Sequence, residues 1–215
     1  MENKKINEID LLPLGAIKGP GRRERRCEET RERIFRAALQ LFAERGFSAT
    51  TIESITEAAD VGKGTFFNYF GNKESLLLEF RERQMDKVRA FVANSMNSEA
   101  ALATVIYEFS VSMTEHQRNS PALFQSLIIA YLSNKGVQKK ITEGLNQARQ
   151  MFAELVVQRQ QRGEIRTDLE PEAIVHTLQQ MIFGTMFIWS LSPNTPFDED
   201  LKKMTDVFVY GIQSR

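Results

Sequence analysis

The chain has 215 residues, with 42% apolar and 26% charged side chains, no formal net charge and one cysteine. This composition is ordinary for a globular protein, and the length allows a small domain beside a larger one. Apolar stretches such as Met181–Leu191 are too short and too broken to span a membrane, and the N-terminus has no apolar signal core. A single cysteine excludes an internal disulfide, so we expect a cytoplasmic protein.

The N-terminal region carries the positive charge. Residues 18–73 contain 11 Lys and Arg against 8 Asp and Glu, a net charge of +3, whereas residues 91–215 contain 11 against 13, a net charge of −2. The excess is concentrated between Lys18 and Arg26, and residues 1–21 contain two prolines and three glycines. We expect residues 1–27 to form a flexible basic arm. A basic run is most often a solvated tail, but it can also follow a DNA backbone.

Two helices are predicted next. The first begins near Glu28 or Thr30 and ends at Gly46, with its core face formed at helical spacing by Ile34, Ala37, Ala38, Leu41 and Phe42. Either Thr50 or Thr51 can cap the second, since a hydroxyl at that position accepts a free backbone N–H. Its apolar stripe is formed by Ile52, Ile55 and Ala59.

Gly62 interrupts that pattern, and a third helix of barely two turns is predicted from about Lys63 to Phe70. Phe66 and Phe70, at i and i+4, can face a core that holds this short helix in place. The other side chains face outward or lie at the rim: Lys63, Thr65, Phe67, Asn68 and Tyr69. Hydrogen-bond donors and aromatic rings on a pinned helix suit a DNA major groove. The pattern therefore predicts a helix-turn-helix whose second helix reads DNA.

At these residues the chain resembles the DNA-binding domain of TetR-type transcriptional regulators. The resemblance covers about residues 31–80, through the positions above and Ala58, Val61, Gly64, Lys73 and Leu76. Three departures stand out: Gly62 replaces a frequent serine, Phe67 a frequent tyrosine, and Gly71-Asn72 a more usual Pro-Ser pair. The resemblance implies an all-α fold of about nine helices, with a three-helix DNA-binding domain at residues 28–73. Residues 74–215 would then form a helical bundle for dimerisation and effector binding.

The DNA contacts predicted from this segment fall into two groups. Thr65, Phe67 and Asn68 are expected at bases or groove walls, and Lys63 at base edges or phosphate. In the second group, Thr51, Tyr69 and Lys73 are expected to hold phosphates, and Arg25 and Arg26 to engage DNA by charge; Gly64 completes the predicted DNA-binding set. The partner is therefore expected to be a pseudo-palindromic double-stranded operator.

Six further helices are predicted in the C-terminal part. The first runs from about Lys73 to Asn94 and is the expected lever between the two domains. The others begin near Ser98, Pro121, Gly136, Pro171 and Phe197 and end near Gln117, Asn134, Arg162, Leu191 and Ile212.

Bulky, flexible side chains in this bundle could either fill its core or enclose an apolar pocket. The pocket candidates are Phe109, Met113, His116, Phe124, Tyr131, Phe152 and His176. A mostly apolar effector of ordinary size would need a cavity of at least about 300 Å³. The nearly balanced charge of this domain gives no reason to expect a strongly ionic effector, although aromatic faces could attract a cation.

The last two helices carry small and apolar residues along one side. Gly184 in mid-helix favours close helix approach, since it costs roughly 1 kcal/mol relative to alanine. With the resemblance, this implies a four-helix interface between two subunits that includes Thr177, Gly184, Ile188, Val207 and Tyr210.

No enzyme motif, metal-ligand cluster or cofactor site is predicted. The segment from Gly62 to Thr65 resembles the end of a phosphate-binding loop, but Glu57 stands where that loop needs glycine. We therefore expect a ligand-responsive dimeric repressor. Two alternatives stay open: a ligand-free activator or partner-recruiting regulator, and a helical enzyme or apolar-ligand carrier.

Overall fold

The computed structural model describes residues 21–118, 120–193 and 196–214, with all side chains in those ranges except 116–118. Most of Met1–Gly21 and the side chain of His116 therefore lie outside the described residues. In the described ranges the chain forms nine α-helices, which confirms the all-α prediction. They are α1 (Arg22–Arg45), α2 (Ile52–Ala58), α3 (Lys63–Tyr69), α4 (Glu74–Ser95), α5 (Leu102–Arg118), α6 (Pro121–Ser133), α7 (Lys135–Gln161), α8 (Pro171–Leu191) and α9 (Phe197–Ile212).

Helix α1 begins at Arg22, earlier than the predicted start near Glu28. Residues 22–27, predicted as part of a flexible arm, are therefore helical. The carboxylate of Glu24 accepts a hydrogen bond from the Gly21 N–H at 2.7 Å, which closes the first turn. No glycine or proline follows until Gly46, and the arginines and glutamates are good helix formers, so nothing stops the helix near Glu28.

Helix α5 begins at Leu102, whereas the sequence predicted a start near Ser98. The connection before it is held by Arg159, a side chain only 2% exposed. Its guanidinium donates to the carbonyl oxygens of Ser98 and Ala100, both at 3.0 Å, and binds Glu164 at 2.5 Å. Because a side chain binds these two carbonyl groups, they keep hydrogen-bond partners although this stretch is not helical.

The buried apolar side chains of the described residues form two cores, and the first joins the DNA-binding segment to the bundle. Its buried residues come from α1, α2 and α3 and also from α4 and α6, among them Phe42, Phe66, Phe80, Leu123 and Leu127. The second core lies among α4 to α9. Helix α6 contributes to both cores, because Phe124 belongs to the second. The small N-terminal domain is therefore packed directly on α6 as well as on α4.

Candidate DNA-binding surface and effector cavity

Local hydrogen bonds fix the start of α2, and a left-handed residue follows this helix in the turn to α3. Thr51 is the N-cap of α2: its hydroxyl accepts from the Ser54 N–H, and the Ser54 hydroxyl accepts from the Thr51 N–H, both at 3.1 Å. Thr50 is buried and donates instead to the carbonyl oxygen of Gly46 at 2.8 Å. The left-handed residue of the turn is Asp60, with φ of 50°. Gly62, the predicted breaker, is the N-cap of α3 at φ −75°.

Helix α3 presents one face to the core and the other to solvent. Phe66 and Phe70 are buried, and their ring centroids lie 5.8 Å apart. Lys63, Gly64, Phe67 and Asn68 are exposed and Thr65 is half-buried, with 52% of Phe67 exposed. The predicted reading residues are therefore brought together on one accessible helix.

Lys63 is linked to the preceding helix by an exposed ion pair. Its ammonium lies 2.6 Å from the Glu53 carboxylate. The hydrogen bond from Lys63 lowers the pKa of that carboxyl group. A DNA phosphate or base edge would compete with Glu53 for the same ammonium. The ion pair can therefore orient the Lys63 side chain while leaving it exposed to DNA.

Tyr69, the last residue of α3, faces the start of α1. It lines an open, shallow depression together with Arg22, Arg23, Arg26, Cys27 and Thr30. A hydrogen bond with the Cys27 thiol raises the pKa of the Tyr69 hydroxyl. Basic side chains at the start of α1 are thus placed next to the end of the predicted reading helix, where a DNA backbone could contact both. Arg25 is exposed on the same helical segment.

Lys73 is turned inward more than the sequence suggested. Its ammonium donates to the carbonyl oxygens of Phe47 and Thr50 at 2.6 and 2.7 Å and lies 4.3 Å from the centre of the Phe47 ring. Burial lowers the pKa of this amine. An ammonium has three donors, so one remains for the predicted phosphate contact.

An apolar cavity of about 200 Å³ lies in the bundle between α4, α5, α6, α7 and α8. Its volume is below the expected 300 Å³. Four of the pocket candidates line it, namely Phe109, Met113, Phe124 and Tyr131. Burial raises the pKa of the Tyr131 hydroxyl, so this group stays neutral.

Phe152 and His176 do not line this cavity. The Phe152 ring packs against Phe109 with centroids 4.4 Å apart and belongs to the second core. His176 lies one turn before Gln179, which is in the wall, and is half-buried. The sequence placed both on suitable helix faces but could not tell where along each helix the cavity ends.

The cavity also has wall residues that the sequence analysis missed. Arg81 and Gln84 of α4 and Gly144 of α7 line it, yet α4 was considered only as a connecting helix. The signal was present: Phe80, Gln84 and Val88 recur at i, i+4 and i+8, which places a polar residue on an apolar face.

The outer faces of α8 and α9 carry large exposed apolar side chains. Ile188, Val207 and Tyr210 are 66%, 68% and 85% exposed, and Phe187 and Leu191 are exposed beside them. The other predicted interface residues, Thr177 and Gly184, are also exposed, and a Cβ on Gly184 would meet no atom within 4 Å. Large exposed apolar patches of this kind mark interaction surfaces.

Within the described ranges, no helix combines the length and apolar character needed to cross a bilayer. In that same part of the chain, no three His, Cys, Asp or Glu side chains form a group that could hold a metal ion.

The exposed helix α3, joined to α2 by a tight turn, gives the helix-turn-helix arrangement of a DNA-binding protein. A family model described as bacterial regulatory proteins of the tetR family matches residues 34–80. The chain is 45% identical over 60 residues to the transcriptional regulator TcmR of Streptomyces glaucescens, covering 28% of this chain and 26% of TcmR. It is 23% identical to the transcriptional repressor KstR2 of Rhodococcus jostii, covering 95% of this chain and 98% of KstR2. These matches support a TetR-family transcriptional regulator, and the family model itself covers the helix-turn-helix segment of the chain.

Solved structures of regulators share the fold over most of the chain. The fatty acid degradation regulator FadR of Bacillus halodurans superposes with a TM-score of 0.73 at 20% identity, covering 86% of this chain and 97% of FadR. FadR of Bacillus subtilis, solved in complex with stearoyl-CoA, superposes with a TM-score of 0.70 at 21% identity, covering 85% and 99%.

Proposed function

We propose that the protein is a homodimeric transcriptional repressor that leaves its operator when a small, mostly apolar effector enters the cavity. The observation that carries this proposal is the double use of α6. Leu127 lies in the core of the DNA-binding segment and also in the cavity wall, next to Phe124 and Tyr131. A ligand that moves the side chains of the cavity wall would therefore also move the surface of α6 on which the helix-turn-helix segment packs.

A second link joins α4 to α1. Arg83 binds Glu32 at 2.6 Å and Glu79 at 3.0 Å, and its guanidinium lies 4.0 Å from the centre of the Phe35 ring. Since α4 lines the cavity too, either helix could transmit a change. An effector weakens DNA binding only to the extent that it binds more tightly to the conformation in which the two copies of α3 cannot both reach the operator.

Dimerisation is proposed to use the exposed apolar face of α8 and α9. Two such helices from each copy would form a four-helix interface and cover Ile188, Val207 and Tyr210. A dimer presents two copies of α3, so the operator would be a pseudo-palindrome with half-sites about one helical turn apart or a multiple of it. Binding chromosomal DNA would require the protein to work in the cytoplasm.

The names of similar proteins support the two parts of the proposal separately: KstR2 is named a repressor, and FadR of Bacillus subtilis was solved with stearoyl-CoA, which carries a long apolar chain. The small cavity favours a second candidate, a regulator that needs no ligand. Methionine and phenylalanine walls can open further around a ligand, since methionine adapts its shape readily.

Footprinting on the DNA that flanks the coding sequence tests the proposal. We expect a two-fold symmetric protected site, and we expect protection to fall when a compound that raises the protein's melting temperature is added. Symmetric protection that no such compound changes would favour the ligand-free regulator. Absence of any protected site would contradict both.

A further inference from the structure

The apolar cavity has one polar corner. The Arg81 Nε and Gln84 Oε1 atoms are buried without a hydrogen-bond partner among the described residues. The rest of the Arg81 guanidinium is engaged, because one Nη atom binds Glu82 and the other lies 3.1 Å from Gln147 Oε1. Buried polar atoms in native proteins are nearly always paired, so two unpaired atoms beside one cavity call for a partner.

Gly144 makes room for this corner. A Cβ on Gly144 would lie 2.5 Å from Arg81 Nε and 3.2 Å from Cζ, which no unshifted side chain tolerates. Glycine is unfavourable inside a helix, and Gly144 lies within α7. The close approach of Arg81 gives a physical reason for glycine at this position.

Charge identifies the chemistry that fits the corner. Among the described residues, Arg81 is the one charged side chain in the cavity wall. Guanidinium N–H groups match the oxygens of carboxylates and phosphates, and such charged hydrogen bonds are the strong ones. Gln84 Oε1 is an acceptor, so the amide must turn its Nε2 group toward these oxygens to donate to them. Apart from Tyr131 and Gln179, the remainder of the wall, including Phe109, Met113 and Ile182, offers apolar contacts to a tail.

We propose that Arg81 and Gln84 bind the anionic head of an elongated apolar effector, a carboxylate or a phosphate, whose tail fills the cavity. This inference rests on the proposed effector response and adds the chemical class of the ligand. It also replaces the expectation of a ligand without strong charge, which came from the net charge of the whole domain.

Four probes with the same C12 tail test the head: dodecanoate, dodecyl phosphate, dodecan-1-ol and dodecyltrimethylammonium. Binding is measured by calorimetry below micellar concentrations. We expect the better of the two anions to bind wild-type protein at least tenfold more tightly than the alcohol and the cation. The stronger of the two anions tells whether the head is a carboxylate or a phosphate.

Two variants disrupt the proposed contact between Arg81 and the anionic head in different ways. Arg81→Gln should abolish the preference for the anion while the affinity for the alcohol changes less than twofold. Gly144→Ala should do the same by displacing Nε, with helix content and melting temperature kept. Arg89→Gln is the control, because Arg89 is exposed on the same helix and absent from the wall. Operator binding without probe, measured for every variant, reports separately on the repressor function.

Equal binding of anion and alcohol to wild-type protein would overturn the proposed head contact, as would tightest binding of the cation. An equal loss of affinity for all four probes in both variants would also overturn it, because Arg81 and Gly144 would then only support the fold. Absence of binding by every probe would overturn it too, while unchanged operator binding would leave the DNA-binding function standing.

Discussion

The Ser126 hydroxyl of α6 accepts a hydrogen bond from the Phe47 N–H at 2.9 Å, across 79 positions of sequence. Ser126 is buried, and its neighbour Leu127 is in the cavity wall. This bond joins the bundle to the loop after α1, which leads directly into the helix-turn-helix. A shift of α6 must therefore break the bond or move the loop with it.

Ser126→Ala should lower the free energy of unfolding by about 1–3 kcal/mol, because the Phe47 N–H would be left without its acceptor. It should also reduce the loss of operator affinity that an effector causes. Denaturant titration and operator titration with and without effector measure the two effects. Ser133→Ala is the matched control, since Ser133 is exposed on the same helix. If both serine variants behave like wild type, the bond does not couple the domains.

Lys73→Ala should weaken binding to all DNA sequences alike and reduce the salt slope by about one unit if the third donor of the ammonium holds a phosphate. It should also destabilise the N-terminal domain, because the carbonyl groups of Phe47 and Thr50 lose their donor. Titrations at several salt concentrations, paired with thermal melts, separate the two effects. A lower melting temperature with an unchanged salt slope would restrict Lys73 to the structural contact.

The ion pairs between α1 and α4 should make stability depend on pH in the acid range. Burial acts to raise the pKa of Glu32, but hydrogen bonds from Arg83 and Arg36 outweigh it, and the pKa is lowered below its usual 4.5. The contribution of Glu32 is therefore complete above about pH 4.5 and is lost as the pH falls through the lower folded-state value. Glu32→Gln should flatten this loss relative to wild type in urea titrations between about pH 3 and 6. Glu29→Gln, exposed on the same helix, is the control; equal slopes for both variants would refute the assignment.

Gly184→Arg should give monomers that keep their helix content. In one subunit the new side chain meets no neighbour, so folding is spared, but at the proposed interface its charge would be buried without a partner. Light scattering combined with circular dichroism tests this. Thr104→Arg, exposed on α5, is the control and should stay dimeric. A stable Gly184→Arg dimer would place the contact elsewhere.

The sequence predicted what depends on local patterns. Phe66 and Phe70 at i and i+4 identified the buried face of α3, and Pro171 identified the start of α8. The sequence could not predict contacts between residues that are far apart in the chain. A lysine or arginine has the pattern of a surface residue wherever it stands. Only the fold shows that the Lys73 ammonium binds two carbonyl groups and that the Arg81 side chain packs against Gly144. The sequence placed the break at Gly62, the N-cap of α3, but did not single out Asp60, which adopts the left-handed conformation that glycine favours.

The central claim is that α3 reads DNA through its exposed face, and one fluorescence anisotropy experiment tests it directly. Wild-type protein, Lys63→Ala, Asn68→Ala and the control Lys135→Ala are titrated with the protected operator and with unrelated DNA of equal length. We expect each α3 variant to lose about 1–3 kcal/mol of operator binding, with a smaller effect on unrelated DNA, and the control to match wild type. Unchanged operator affinity in both α3 variants would contradict the account.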